Sequence, residues 1–235
     1  MNIRKNFDVA KYLVIGAENS SRPVEEIVEA AVRAGFTFVQ IRSKISSARE
    51  IILTLKNCAE KISRLGKSEE VALVVNDRLD IALAARDAGI KVDGVHVGQS
   101  DIPVEVCRKY LGENSIVGLS ARTENLIDYA KTADISCVDY FGAGPLHETA
   151  TKPDCGLTAD GKIITRSLDE LAALAKISPL PVVVGGGVKL KDIPALASTK
   201  VDGFFVVSAV AAVEDPFAAA AELVTAWDMA IKCHE

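Results

Sequence analysis

Short apolar runs alternate with longer stretches of helical period along the whole chain. The runs lie at Tyr12–Ala17, Phe36–Ile41, Val71–Val75, Asp93–Val97, Ser115–Leu119, Cys137–Phe141, Pro181–Val184 and Val201–Val207. Between them, apolar residues return every three or four positions. Val24, Ile27, Val28 and Ala31 fill the i, i+3, i+4 and i+7 places of one helix face, and Ile51, Ile52, Leu55 and Cys58 repeat the pattern. The periodic stretches are Pro23–Ala34, Ser47–Leu65, Arg78–Ala88, Pro103–Leu111, Glu124–Thr132, Leu168–Ile177, Lys191–Ala197 and Pro216–Lys232. Asp215-Pro216 reads as an N-cap followed by proline at the first helical position. Eight strand–helix repeats with short links predict an α/β protein, a single (β/α)₈ TIM barrel over residues 1–235. A doubly wound sheet is the competing arrangement. No linker or low-complexity stretch divides the chain.

The alternation breaks once. Gly142 to Arg166 has no period and is rich in Gly, Pro, Thr and charge. Structureless loops of this length are uncommon and often cover active sites. Residues 142–166 follow the sixth strand, so they are expected on the C-terminal face, where barrel enzymes work, as a lid.

Composition narrows the class. Of 235 residues, 49% are hydrophobic and only 5% aromatic, so the core is aliphatic, as suits a parallel sheet covered by helices. The net charge of −5 and the absence of long Lys/Arg runs argue against a nucleic-acid partner. No apolar stretch has membrane length, and MNIRKNFD lacks an apolar signal core. Five scattered cysteines form neither a disulfide framework nor a CxxC pattern, so a reduced, cytoplasmic protein is expected. Homo-oligomerisation stays open.

The chemistry gathers where strands end. VALVVND stops at Asn76-Asp77 and GVHVGQSD stops at Asp101. Two carboxylates at consecutive strand ends can share one hard cation, and Mg²⁺ takes one or two carboxylates plus substrate phosphates. Each aspartate could instead cap the helix that follows it. VQIRSK supplies Gln40, Arg42 and Lys44, which share one side if the strand continues through them and which suit a phosphate. GPLHETATK offers Thr149, Thr151 and Lys152 for phosphate oxygens. Gly185-Gly186-Gly187 follows the seventh strand and Val207-Ser208 ends the eighth, where barrels frequently bind phosphate, although three glycines also make a plain tight turn. No GxGxxG is present, which discounts a Rossmann site. Ser120 ends the fifth strand without a triad partner and is read as a hydrogen-bonding group. His96, inside an apolar strand, reads as a satisfied core histidine.

In this order the motifs resemble the thiamine-phosphate synthase (thiamine-phosphate pyrophosphorylase) family. The segments that carry the likeness are YLVIGA, VQIRSK, VNDRLDIAL, DGVHVGQSD, IVGLSA, DYFGAGPLHETATK, PVVVGGGV and VDGFFVVSAV, which span nearly the whole chain. The resemblance implies a (β/α)₈ barrel and a Mg²⁺-dependent transfer. In it, 4-amino-2-methyl-5-(diphosphooxymethyl)pyrimidine joins 4-methyl-5-(2-phosphooxyethyl)thiazole and pyrophosphate leaves. It implies that Gln40, Arg42, Lys44, Asn76, Ser120 and Lys152 handle the pyrimidine diphosphate, that Asp77 and Asp101 hold Mg²⁺, and that Thr149, Thr151, Gly187, Val207 and Ser208 hold the thiazole phosphate. The chain departs from the family pattern at Leu146-His147-Glu148, around Asp160-Gly161 and at Ile90-Lys91-Val92. The alternatives are a thiazole tautomerase-like isomerase acting on one substrate, which would tend to lack the diphosphate-binding set, and a non-catalytic phosphate-ligand sensor.

Overall fold

Strand alternation sets the architecture. The computed structural model describes residues 3–121, 124–149, 156–158 and 161–233. Eight parallel strands close a barrel in sequence order: β1 (Lys11–Ile15), β2 (Phe38–Ile41), β3 (Ala72–Asn76), β4 (Gly94–Val97), β5 (Ile116–Ser120), β6 (Tyr140–Ala143), β7 (Val182–Val184) and β8 (Gly203–Val206). β1 pairs with β8 through Lys11↔Phe204, Tyr12↔Phe205 and Leu13↔Val206, which closes the ring and removes the doubly wound alternative.

Successive strand residues point to opposite faces. Tyr12, Val14, Phe38, Ala72, Val74, Ile116, Tyr140 and Val183 fill the interior. Their outward neighbours, such as Leu13, Val39, Leu73 and Phe141, pack under the helices. Phe7 closes the lower mouth, its ring 6.1 Å from those of Phe38 and Tyr140.

The helices follow from period and caps. α1 (Val24–Ala34) buries Val24, Ile27, Val28, Ala31 and Val32, and stops at Gly35, whose φ of 114° suits the residue without a Cβ. α2 (Ala48–Arg64) starts with a capping box: Ser47 accepts from Glu50 N–H and the Glu50 carboxylate accepts from Ser47 N–H. It buries Leu55 completely, a contribution of about 2 kcal/mol. α3 (Leu79–Asp87), α4 (Val104–Leu111), α5 (Leu126–Thr132) and α6 (Leu168–Ile177) follow. The stretch Lys191–Ala197 divides into a tight turn, Leu190–Asp192, and α7 (Ile193–Ser198), because Pro194 belongs in the first turn of a helix. A four-residue helix not expected from the pattern, α8 (Ser208–Ala211), precedes α9 (Pro216–Lys232), where Asp215 does accept the Ala218 N–H.

Three aspartates seal the lower rim. Asp93, Asp139 and Asp202 each precede an even-numbered strand, and each side chain accepts the N–H of a residue of the strand before it (Leu73, Val117 and Val182), at 2.7 Å in every case. Asp139 also pairs with Arg108 at 2.7 Å and with Arg4 at 2.8 Å. This work moves the sixth strand: the apolar run predicted it at Cys137–Phe141, but Asp139 serves the rim and pairing begins at Tyr140. Gly142 and Ala143 therefore belong to β6, and the long connection starts at Gly144.

Candidate active site

A cavity of about 800 Å³ opens at the C-terminal ends of the strands. It is lined by Gln40, Arg42, Lys44, Asn76, Asp77, Asp101, Ser120, Thr149, Gly187, Val207 and Ser208, every predicted site residue that is described. Thr151, Lys152 and also Cys155 lie outside the described residues.

The first wall comes from β2. Gln40 is its last inward residue, but the strand ends at Ile41, so Arg42 and Lys44 reach the cavity from the loop, not as alternate strand positions. Gly16 lets this loop approach: a Cβ there would stand 1.9 Å from the Arg42 carbonyl oxygen. The Glu18 carboxylate accepts Lys44 N–H at 2.9 Å and fixes its backbone.

The acidic pair comes from β3 and β4. Asp77 has a φ of 60°, the left-handed region, which Asp tolerates better than most residues. Its Oδ2 accepts from Lys44 Nζ at 2.5 Å and from Asn76 Nδ2 at 2.6 Å. Lys44 is more than half exposed, so this pair adds at most about 1 kcal/mol to stability. Asp101 closes a turn by accepting Gly98 N–H at 2.7 Å. Burial, then the hydrogen bond and charge of Asp77, hold the Asp101 carboxyl above the usual aspartate range, against the pull of Gly98 N–H and Lys44. Neither acid is a helix cap: Arg78 and Pro103 stand at those positions, without side-chain cap bonds. Two carboxyls driven together in this way form an oxygen-rich donor set that a hard cation would relieve. Among the described residues no group of three or more His, Cys, Asp and Glu side chains comes together.

Ser120 ends β5, and its Oγ lies 3.0 Å from His96 Nε2. His96 faces inward beside Asn76 and lines the cavity. It is hydrogen-bonded, as a core histidine should be, but it belongs to the site. Its alternation with Gly94, not the apolar run around it, is the signal of an inward position. Gln99 joins the wall, donating to the Ser120 carbonyl at 2.7 Å.

The glycine triplet is more than a turn. A Cβ on Gly185 would meet the Phe205 ring at 2.2 Å, and one on Gly186 would meet Pro145 at 2.6 Å. Gly186 and Gly187 also have φ of 83° and 73°. The connection after β6 rests on them: Leu146 and His147 donate their N–H groups to Gly185 and Gly186 carbonyls. His147 Nε2 also lies 3.1 Å from Asp192 Oδ2, which holds the loop to the turn before α7. The loop's far end returns to its start, with Arg166 N–H donating to the Pro145 carbonyl at 2.8 Å. A Leu157↔Ile163 bridge gives it some order of its own. Val207 and Ser208 reach the cavity at the start of α8, the kind of short extra helix that often accompanies barrel phosphate sites.

Comparison with known proteins places the chain in a family. The family model described as thiamine monophosphate synthase matches residues 11–210. The chain is 38% identical to a thiamine-phosphate synthase of Natronomonas pharaonis, over 89% of this chain and 90% of that one. It is 37% identical to a thiamine-phosphate synthase of Corynebacterium efficiens, over 96% and 98%. The solved thiamine phosphate pyrophosphorylase of Pyrococcus furiosus superposes with a TM-score of 0.74 at 29% identity, covering 94% of this chain and 96% of that one. A 3-hexulose-6-phosphate synthase shares the fold at 18% identity. A chain matched over nearly its whole length by thiamine-phosphate synthases, and folded as one of them is, leaves one conclusion: it belongs to the thiamine-phosphate synthase family, a family of transferases of thiamine biosynthesis.

Proposed function

We propose that the protein joins the aminopyrimidine methyl diphosphate to the thiazole phosphate in a Mg²⁺-dependent alkyl transfer, releasing pyrophosphate. The observation that carries this reading is the meeting of Arg42, Lys44, Asp77 and Asp101 in one cavity. Two acids beside two cations suit a diphosphate held through a divalent ion better than either alone. Asp77 and Asp101 would hold the ion. Magnesium, when bound, would supply neutralising charge to the leaving diphosphate.

The chain's own groups do the rest. Arg42 and Lys44 take the negative charge that grows on the leaving oxygen, and Lys152 would add to them from the lid. Gln40, Asn76 and Ser120 hold the pyrimidine so that its methylene faces the thiazole nitrogen. The bond from methylene to diphosphate oxygen breaks with its electron pair leaving on oxygen, and the nitrogen lone pair forms the new C–N bond. An aminopyrimidine shares positive charge at that methylene, so little acid–base help is required. Thr149, Thr151, Gly187, Val207 and Ser208 would hold the thiazole phosphate.

The test measures pyrophosphate release from the two substrates with Mg²⁺ and with a chelator. Release that needs both substrates and stops on chelation supports the proposal. Release indifferent to chelation removes the metal, and turnover of the thiazole phosphate alone favours an isomerase.

A further inference from the structure

A polar chain crosses the barrel interior. The Tyr12 and Tyr140 hydroxyls lie 2.9 Å apart, on β1 and β6, strands that are not neighbours in the sheet. The Tyr140 hydroxyl is also 2.9 Å from His96 Nδ1, and His96 Nε2 is 3.0 Å from Ser120 Oγ. At the other end the Gln40 carboxamide interacts with the Tyr12 phenol and favours its ionised form, as an amide hydrogen turned toward it would. Both ends of this chain, Gln40 and Ser120, line the cavity.

The barrel makes room for it. A Cβ on Gly118 would stand 2.4 Å from the Tyr140 hydroxyl, and one on Gly142 would stand 3.1 Å from the His96 ring. Both tyrosines are fully buried, and burial pushes their ionisation upward, so they remain neutral. Phenylalanines would fill nearly the same volume with no hydroxyls to satisfy.

Such a chain has a direction. A neutral imidazole carries one N–H. With it on Nε2, His96 donates to Ser120, Tyr140 donates to Nδ1, Tyr12 donates to Tyr140, and the Gln40 amide donates to Tyr12. Ser120 then turns its hydrogen to the cavity and Gln40 turns its carbonyl. With the proton on Nδ1 every link reverses, and Ser120 offers a lone pair while Gln40 offers amide hydrogens. One donor and one acceptor face the cavity in either state.

We propose that Tyr12, Tyr140 and His96 are positioning residues that couple the hydrogen-bonding polarity of Gln40 to that of Ser120, so that the cavity meets an aminopyrimidine with a matched donor and acceptor. The inference rests on the substrate reading above. It adds that a hydroxyl three hydrogen bonds from Ser120 governs how Ser120 acts.

A double-mutant cycle tests it with Tyr12→Phe and Ser120→Ala, after melting curves establish that each variant is folded. Tyr12→Phe should lower kcat/KM about fivefold in the native background, the effect of one hydrogen bond, and less than about twofold when Ser120 is already alanine. Equal losses in both backgrounds would overturn the coupling. The second arm needs neither variants nor turnover. Ring ¹⁵N shifts of His96 in the native protein are followed as 4-amino-5-hydroxymethyl-2-methylpyrimidine is added. Convergence on one neutral tautomer supports the relay, and a tautomer ratio unmoved by saturating ligand counts against it. A native enzyme that releases no pyrophosphate would fail the synthase reading, and the ¹⁵N titration would still judge the relay.

Discussion

Asp77 and Asp101 show how closely one residue's geometry is tied to one chemical use. Because neither side chain caps a helix, removing either should leave the barrel standing. Asp77→Ala and Asp101→Ala should each lower kcat about 100-fold, the effect of losing roughly 3 kcal/mol of electrostatic stabilisation, while Tm stays close to native in Asp101→Ala and falls in Asp77→Ala only as far as alanine's strain at a φ of 60° requires. Two helix caps would give the opposite, about 1 kcal/mol of lost stability with activity retained. Melting curves beside steady-state rates decide between them. These residues were readable in the sequence because each ends an apolar run and is followed by helical period. His96 was not, since a histidine between valines looks like core. Tyr12 and Tyr140 were less legible still: their contact spans the barrel between β1 and β6, and no pattern within a repeat reports on it.

At the scale of elements, period and caps recovered all eight strands and the principal helices, within a few residues. The errors have physical causes. The sixth strand shifted because Asp139 faces the rim bonds, and the short helix α8 escaped because four residues are too few to show a period. The long connection after β6 also differs from the structureless loop expected, since its base is hydrogen-bonded to Gly185, Gly186 and Pro145. We propose that the connection acts as a lid, hinged at these anchors. Limited proteolysis should cut the connection in the free protein and spare it with pyrophosphate and thiazole phosphate bound; equal cutting in both states counts against a lid. Gly186→Ala should weaken the anchor directly, because a methyl there meets Pro145 and the φ of 83° is strained for alanine. The expected outcome is a lower Tm and faster cleavage of the loop.

Across the whole molecule, stability and chemistry sit at opposite ends of short strands. The lower rim carries the buried cluster of Asp139 with Arg108 and Arg4, and the upper rim carries the cavity. Asp139→Ala should cost about 3 kcal/mol, because it strands a buried guanidinium and frees the Val117 N–H, yet leave kcat of the folded fraction unchanged. Denaturant titration with activity corrected for folded fraction measures both. Among the described residues no helix is long and apolar enough to cross a membrane. The bond from Arg166 to Pro145 has a further effect at this scale. It brings the two ends of the upper connection together on the barrel, so the intervening chain behaves as a closed loop whose length the scaffold scarcely feels. Added residues there raise the closure cost only slowly, by about 0.6 kcal/mol for each doubling. On this scaffold the connection can be lengthened, shortened or exchanged as a cassette. Such changes would leave Asp77, Asp101 and the barrel untouched.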